Sequence, residues 1–190
     1  MDTLVTDSIR QHQRLADKVC NTLVPKISRV ADILIEVVES GNTIFWCGNG
    51  GSAADSQHLA AELIGRFKSE RRAIASVALT TDTSVLTCLG NDYGYDTIFS
   101  RQVSGLARQG DVLMCISTSG NSPNVVEAAR VAIAKSVVTV ALCGGDGGVL
   151  ASLCDERVIV PDSDTARVQE MHILIGHILC DLIERSVVAD

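Results

Sequence analysis

The residues best suited to chemistry are His58 and Glu62, which lie four positions apart in a segment with a helical pattern. Four residues make a little over one helical turn, so the imidazole and the carboxylate project from the same face. This helix follows directly on the turn CGNGGS at residues 47–52, whose glycines allow the backbone to approach a ligand closely. A base beside a metal-ligating side chain predicts an enzyme, because a protein that only binds its ligand needs neither group.

Two further histidines, His172 and His177, lie in the last apolar segment, ARVQEMHILIGHIL. The same segment contains Gln169 and Glu170, and polar groups that are buried in a helix need hydrogen-bonding partners. The simpler interpretation is that a neighbouring backbone group or carboxylate satisfies each of them. The fourth histidine, His12, belongs to a polar first helix and is predicted to be a surface or interface residue.

The other interpretation is a shared metal site. Imidazole, carboxylate and amide oxygen suit zinc or a similar divalent ion. The residues that supply them are His58, Glu62, Gln169 and His177. Along a helix, Gln169 and His177 lie about 12 Å apart. One ion can therefore join them only if both side chains lean inward or if different subunits contribute.

Five short runs rich in β-branched residues alternate with helical patterns after residue 41. They cover residues 43–47, 75–79, 112–116, 137–142 and 158–160. Continuous apolar strands separated by helices predict an α/β fold, with a five-stranded parallel sheet covered by helices on both faces. Two amphipathic stretches, 5–23 and 25–40, precede the sheet, and a long helix over 165–188 follows it. Because nothing resembles a linker or a repeat, we expect a single domain over 1–190, with a helical segment in 1–40 and an α/β core in 41–190.

Ligands of parallel sheets bind beyond the carboxyl ends of the strands, where this chain has two distinctive turns. The first, residues 48–52, is followed by the capping pattern Ser52-x-x-Asp55. The second, STSGNSP at residues 117–123, places four hydroxyls in six residues and a proline at the first position of the next helix. Serines and glycines are common in turns and caps, but two such turns after two parallel strands predict a phosphate site. Neither turn matches a nucleotide-binding motif.

Composition argues against several classes of protein. The net charge of −7 disfavours general nucleic-acid binding, which needs a basic field. No apolar run approaches the roughly 20 residues that span a bilayer, and the first residues lack a signal-peptide pattern, so we expect a cytoplasmic protein without membrane contact. Seven cysteines without a C-x-x-C pair are predicted to be reduced core thiols, and three of them end apolar runs: Cys47, Cys115 and Cys143.

Four motifs together resemble the phosphoheptose isomerases of the sugar-isomerase (SIS) domain family. They are CGNGGSAADSQHLAAEL, GND, STSGNS and the RVQEMH run with the histidine that follows it, and they extend over most of the chain from about residue 41. The resemblance implies an aldose-ketose isomerase that interconverts sedoheptulose 7-phosphate and D-glycero-D-manno-heptose 7-phosphate through an enediol. That step leads towards the heptose of bacterial lipopolysaccharide and other surface glycans. The resemblance also implies a homotetramer assembled through the amino-terminal helices, with active sites at subunit interfaces.

The resemblance assigns roles to individual positions as well. Glu62 and His177 correspond to the catalytic pair. The ligands of one zinc ion per subunit correspond to His58, Glu62, Gln169 and His177. The substrate-binding positions, of which the hydroxyl-bearing ones face the phosphate, are Asn49, Gly50, Gly51, Ser52, Glu62, Asn91, Asp92, Ser117, Thr118, Ser119, Ser122 and Gln169.

The chemistry of the catalytic pair fits this assignment. Moving a carbonyl between C2 and C1 requires removing a proton from one carbon and returning it to the other, and a carboxylate such as Glu62 can carry that proton. His177 suits proton exchange with the sugar oxygens. Two alternatives share the motifs: a non-catalytic SIS-domain regulator that binds the bacterial replication initiator protein, and a sugar-phosphate sensor. In the regulators, the position that matches Glu62 is not acidic and the position that matches His177 is not a histidine, whereas this chain has both residues. A sensor would give Glu62 no role.

Overall fold

Five strands and eight α-helices form the computed structural model, which describes residues 1–188. The strands are β1 (Ile44–Gly48), β2 (Ser76–Ala78), β3 (Val112–Ser117), β4 (Val138–Gly144) and β5 (Glu156–Val160). The helices are α1 (Asp2–Thr22), α2 (Val24–Glu39), α3 (Gly51–Ile64), α4 (Thr83–Asp92), α5 (Ser100–Leu106), α6 (Pro123–Ala134), α7 (Gly148–Leu153) and α8 (Thr165–Val188). A short 3-10 helix, Tyr95–Thr97, lies between α4 and α5.

The five strands pair in parallel in the order β2-β1-β3-β4-β5, which confirms the predicted sheet. Their ends differ from the predicted ends by at most two residues. The strand order reverses next to β1, because β2 lies on one side of it and β3 on the other. A crevice therefore opens between the turns that follow β1 and β3, at the carboxyl ends of the strands.

Helices cover both faces of the sheet, so its central strands are buried on both sides. Ile44 and Trp46 of β1 join a core with α2, α3 and α8. Phe45 and Cys47 join a second core with α5 and α6. Every residue of β1 and β3 is buried, which is why these strands read as continuous apolar runs. Trp46 donates its indole N–H to Ser76 Oγ at 2.8 Å, so its polar group is satisfied inside the core.

The two predicted amino-terminal helices are present as α1 and α2. They meet at Leu23, and Pro25 lies in the first turn of α2, as expected from its fixed φ. α1 buries Leu15 and Val19. Its outer face carries three exposed apolar side chains, Leu4, Val5 and Ile9. In residues 1–188, no helix is both long and apolar enough to cross a membrane.

The seven cysteines are all free thiols. The prediction of core thiols is confirmed for five of them: Cys47, Cys115, Cys143, Cys154 and Cys180. It is wrong for Cys20 and Cys88, which are exposed because they lie on outward faces of α1 and α4.

Candidate active site

The turn after β1 brings the amino terminus of α3 to the crevice. Gly50 is the N-cap of α3 and has a φ of +55°, a conformation that favours glycine. The predicted capping box from Ser52 to Asp55 is therefore wrong. The helix begins after Gly50, two positions before Ser52, so Ser52 is not the N-cap. Ser52 lies buried within the first turn. The N–H groups of Ser52 and Ala53 donate to the carbonyls of Asn49 and Gly50 at 3.0 and 3.1 Å, and the positive end of the α3 dipole borders the crevice.

A cavity of about 260 Å³ lies between this turn and the turn after β3. The amino-terminal ends of α3 and α6 border it, and their dipoles favour an anion. Its walls are formed by Asn49, Gly50, Gly51, Ser52, Ile116, Ser117, Thr118, Ser122, Thr165 and Gln169. Eight of the predicted substrate-binding residues therefore surround one cavity whose donors suit a phosphate.

The serine turn, residues 117–122, presents its hydroxyls in two ways. Ser122 is the N-cap of α6 and Pro123 opens that helix, as predicted. Ser122 Oγ lies 3.0 Å from Ser117 Oγ instead of capping a backbone N–H of α6, so both hydroxyls remain at the cavity. Ser119 lies outside the cavity, where its exposed hydroxyl accepts the backbone N–H of Asn121 at 3.2 Å.

Asn124 joins the two turns, and it was absent from the predicted site. Asn49 Nδ2 donates to Asn124 Oδ1 at 2.9 Å, and Asn124 Nδ2 donates to Asn49 Oδ1 at 2.8 Å. Asn124 is only 1% exposed, and the Tyr95 hydroxyl donates to Asn49 Oδ1 at 3.2 Å. This network fixes the Asn49 amide at the edge of the cavity. Asparagine is common in the first turn of a helix because its side chain can bond nearby backbone groups. The position of Asn124 in the sequence therefore does not predict its pairing with Asn49.

A third glycine-rich loop, GGDGG at residues 144–148, packs against the serine turn. The N–H of Leu150 donates to the carbonyl of Gly120, and the N–H of Gly144 donates to that of Thr118, both at 3.0 Å. A Cβ at Gly120 would overlap the carbonyl of Gly147, and Gly120 also has a φ of +65°. The position therefore requires glycine for both space and conformation. The glycine run at residues 144–148 is the sequence signal for this loop.

Farther along α3, His58 and Glu62 meet His177 of α8. His58 Nε2 lies 3.2 Å from Glu62 Oε1 and 2.8 Å from His177 Nε2. One ligand atom from each of the three residues lies within 4.8 Å of the other two. Two imidazoles and a carboxylate this close match the donor set of a divalent metal site. The helices can approach because Gly176 of α8 lies against Leu59 of α3, where a Cβ would come within 2.6 Å of the leucine methyl groups.

His177 has a half-buried and well-defined environment. Phe67 stacks on it, with ring centroids 5.4 Å apart and an angle of 26° between the planes. Burial and the positive charges of His58 and Lys68 lower the pKa of His177, while Glu62 opposes the shift. A lowered pKa favours the neutral imidazole, which is the form that binds a metal or accepts a proton.

Three other predicted site residues lie apart from this cluster. Gln169 rests on the first turn of α3, where a Cβ at Gly51 would lie 2.6 Å from its Nε2. Gly51 and His58 are about 10 Å apart along the helix. The structure thus gathers three of the four predicted metal ligands and places Gln169 at the cavity. Asn91 and Asp92 lie outside the cavity at the end of α4, where Asn91 Nδ2 donates to Asp92 Oδ1 at 2.7 Å.

Three buried side chains near the site, Asp55, Arg71 and His172, each have a polar atom without a hydrogen-bonding partner within residues 1–188. Asp55 Oδ2 is one of them, and burial raises the pKa of Asp55 to about 6 although His58 opposes the shift. His172 is another, since neither ring nitrogen makes a hydrogen bond of good geometry, and burial lowers its pKa to about 4. The interpretation that every polar group of the last helix finds a partner is therefore wrong for His172. It is confirmed for Glu170, which bonds the partly exposed His12 of α1 at 2.8 Å.

Comparison with known proteins agrees with the resemblance to the SIS domain family that the sequence motifs indicate. The model of the SIS domain family matches residues 9–144. A phosphoheptose isomerase from Helicobacter hepaticus is 54% identical over 184 residues, which cover 97% of this chain and 93% of that protein. Phosphoheptose isomerase 1 from Campylobacter jejuni is 50% identical over 186 residues, 98% of this chain and 100% of that protein. The solved structure of phosphoheptose isomerase GmhA from Neisseria gonorrhoeae matches with a TM-score of 0.92 and 44% identity, over 97% of this chain and 98% of that one.

Proposed function

Because the chain belongs to the phosphoheptose isomerases of the SIS domain family, we propose that it interconverts sedoheptulose 7-phosphate and D-glycero-D-manno-heptose 7-phosphate through an enediol. The observation that carries this proposal is the cluster of His58, Glu62 and His177, which lies on the same helix pair that borders the anion cavity. The product serves the heptose of bacterial lipopolysaccharide or other surface glycans.

The position of the cavity relative to the cluster supports this substrate. The serine turn and the start of α3 hold the phosphate. From Gly51 to His58, α3 runs about 10 Å. That separation suits a sugar whose phosphate is on C7 and whose reacting carbons, C1 and C2, lie at the other end.

Proton transfer falls to two members of the cluster, Glu62 and His177. Glu62 removes the proton from the carbon beside the carbonyl and returns it to the neighbouring carbon. His177 exchanges protons with the sugar oxygens, and its lowered pKa keeps a neutral nitrogen ready to accept one. Asn49, whose amide is fixed by Asn124 and Tyr95, orients a sugar hydroxyl.

We assign zinc to the cluster, one ion per subunit. The two imidazoles and the carboxylate fit it, and Gln169 is the predicted fourth ligand, supplied by the same or a neighbouring subunit. When bound, zinc supplies a Lewis acid for the sugar carbonyl. The exposed apolar faces of α1 and α8 support a homotetramer that uses segment 1–40 for assembly. Their exposed apolar side chains are Leu4, Val5 and Ile9 of α1 and Leu174, Ile178 and Leu182 of α8.

Metal removal tests the zinc assignment. Protein purified without chelator is expected to contain about one zinc per chain by elemental analysis, because its three donors are already gathered. Extraction with a chelator should abolish turnover, and added zinc should restore it. Full activity of protein shown to be free of metal would contradict the assignment.

The reaction itself is tested by incubating the protein with sedoheptulose 7-phosphate and assaying for an aldose product. Formation of the heptose aldose supports the isomerase. Absence of product together with binding to the replication initiator protein would favour the regulator. Tight binding of the sugar phosphate without any product would favour the sensor.

Ser122→Ala is expected to raise KM about tenfold and to leave kcat nearly unchanged, because the lost hydroxyl contacts the charged phosphate and not the reacting carbons. Steady-state kinetics with sedoheptulose 7-phosphate measure both constants. Ser119→Ala is the matched comparison, and its effect is expected to be smaller because the Ser119 hydroxyl lies outside the cavity. An unchanged KM for Ser122→Ala would show that the phosphate binds elsewhere.

A further inference from the structure

Phe67 is an aromatic side chain in direct contact with His177, one member of the proposed catalytic pair. It belongs to the loop that follows α3, residues 65–69, and its ring stacks on that of His177. The His58 ring meets His177 on another side, at an interplanar angle of 65°. Contacts from two directions fix the plane of the His177 imidazole and therefore the direction in which its nitrogens point.

Glu184 holds this loop in place from α8. Its carboxylate accepts three consecutive backbone N–H groups, from Phe67 at 2.8 Å, Lys68 at 2.7 Å and Ser69 at 2.6 Å. The side chain is only 2% exposed. Burial works to raise its pKa, but the three N–H groups and Arg71 hold the pKa below its ordinary value. The carboxylate is therefore charged, and charge-assisted hydrogen bonds of this kind are strong.

Arg71 joins Glu184 to the end of α3. Its Nε lies 3.4 Å from Glu184 Oε2, and its side chain is 1% exposed. The guanidinium donates to the carbonyls of Glu62 at 2.7 Å, Leu63 at 2.8 Å and Gly65 at 2.9 Å. These carbonyls belong to the last turn of the helix and its C-cap, where backbone acceptors lack helical partners. One buried ion pair thus contacts both the backbone of Glu62 and the loop that carries Phe67.

We propose that Phe67 is a positioning residue for His177, and that the Glu184–Arg71 pair positions Phe67 and Glu62 together. The proposal rests on the proposed function in one respect, namely that His177 and Glu62 are the groups whose positions matter. Without the Phe67 ring, the His177 imidazole can rotate away from His58. Both proton exchange and metal binding then lose their geometry, while the phosphate cavity at the other end of α3 is unaffected.

Phe67→Leu tests this inference, with Phe67→Tyr as the matched control. Phe67 is only partly buried, so tyrosine can keep the ring stack and direct its hydroxyl to solvent. Phe67→Leu is expected to lower kcat about tenfold and to weaken zinc binding by a similar factor, with KM unchanged. Phe67→Tyr is expected to stay within about twofold of the wild type in all three measurements. Zinc affinity is measured by competition with a chromophoric chelator, and thermal unfolding of the metal-free proteins shows whether the fold is equally stable.

A second variant addresses the ion pair. Glu184→Gln keeps the side-chain shape but replaces an acceptor oxygen with an amide, so it can no longer accept all three N–H groups. It is expected to lower kcat by more than Phe67→Leu does. Asp181→Asn is its control, because this nearby carboxylate of α8 pairs with Lys68 and Arg185 at the surface. Its kcat is expected to stay within about twofold of the wild type.

Two outcomes would overturn the inference. One is unchanged kcat and zinc affinity in Phe67→Leu. The other is a Phe67→Leu variant that loses both activity and thermal stability but keeps its zinc affinity, because the lost activity would then be explained by the less stable fold. The zinc measurement needs no turnover, so it tests the positioning role even if the wild-type protein proves inactive on sedoheptulose 7-phosphate. Failure of the proposed function and failure of this inference are therefore distinguishable.

Discussion

Glu62→Gln is expected to lower isomerase turnover by about a thousandfold, because it removes the only group proposed to carry the substrate proton between C1 and C2. The amide keeps the volume and the planar shape of the carboxylate, although an NH2 donor replaces one acceptor oxygen. Sugar-phosphate binding is therefore expected to survive, since the phosphate cavity lies about 10 Å away along α3. Rate measurements should show a fall in kcat with little change in substrate affinity.

A second readout separates loss of the base from loss of metal. In deuterated water, the wild-type enzyme is expected to exchange the transferred proton with solvent, and Glu62→Gln is expected to lose this exchange. Zinc content is measured on the same sample, because Glu62 also belongs to the metal cluster. Glu39→Gln at the exposed end of α2 serves as the control for a charge change elsewhere. Wild-type turnover by Glu62→Gln would rule out the proposed base.

The second large effect concerns stability and arises from His172. Its pKa in the folded protein is about 4, below the ordinary value of 6.5, because burial disfavours the charged ring. Contact with the backbone of Cys143 opposes this shift only in part. Between these two pKa values the unfolded chain binds a proton that the native chain does not. The free energy of unfolding therefore falls as the pH falls from 6.5 to 4, by about 3 kcal/mol from this residue.

His172→Leu isolates this contribution. Urea unfolding of both proteins at equal concentration should show the variant gaining about 2 kcal/mol relative to the wild type between pH 7.5 and pH 5. Asp55 acts in the opposite direction, because its raised pKa lets the native state hold an extra proton as the pH falls below about 6. That contribution is the same in both proteins and cancels in the difference. An equal stability difference at the two pH values would show that His172 titrates normally.

Local patterns predicted much of the fold. Runs rich in β-branched residues identified all five strands, and β1 and β3 read as continuous apolar runs because both of their faces are buried. Ser122 before Pro123 identified the start of α6, since both residues act through their own backbone conformation. The spacing of His58 and Glu62 identified one side of the cluster with His177, because a helical turn alone sets their distance.

Features that depend on packing between distant segments were not predictable in the same way. The meeting of His58 with His177 depends on Gly176 lying against Leu59, which is a property of two helices and not of either one. Burial of Asn124 and its pairing with Asn49 depend on how the turns after β1 and β3 face each other. The capping box was wrong for a related reason, since the conformation of Gly50 is set by the crevice it lines.

The contact between Gly120 and Gly147 has a consequence for substrate affinity. The GGDGG loop and the start of α7 hold the serine turn in place through backbone hydrogen bonds within the protein itself. The turn is therefore ordered when the chain folds, and binding does not have to restrict its conformational freedom. A preorganised anion site of this kind should retain measurable affinity for inorganic phosphate alone. The sugar would then add selectivity to binding energy that the phosphate group already supplies.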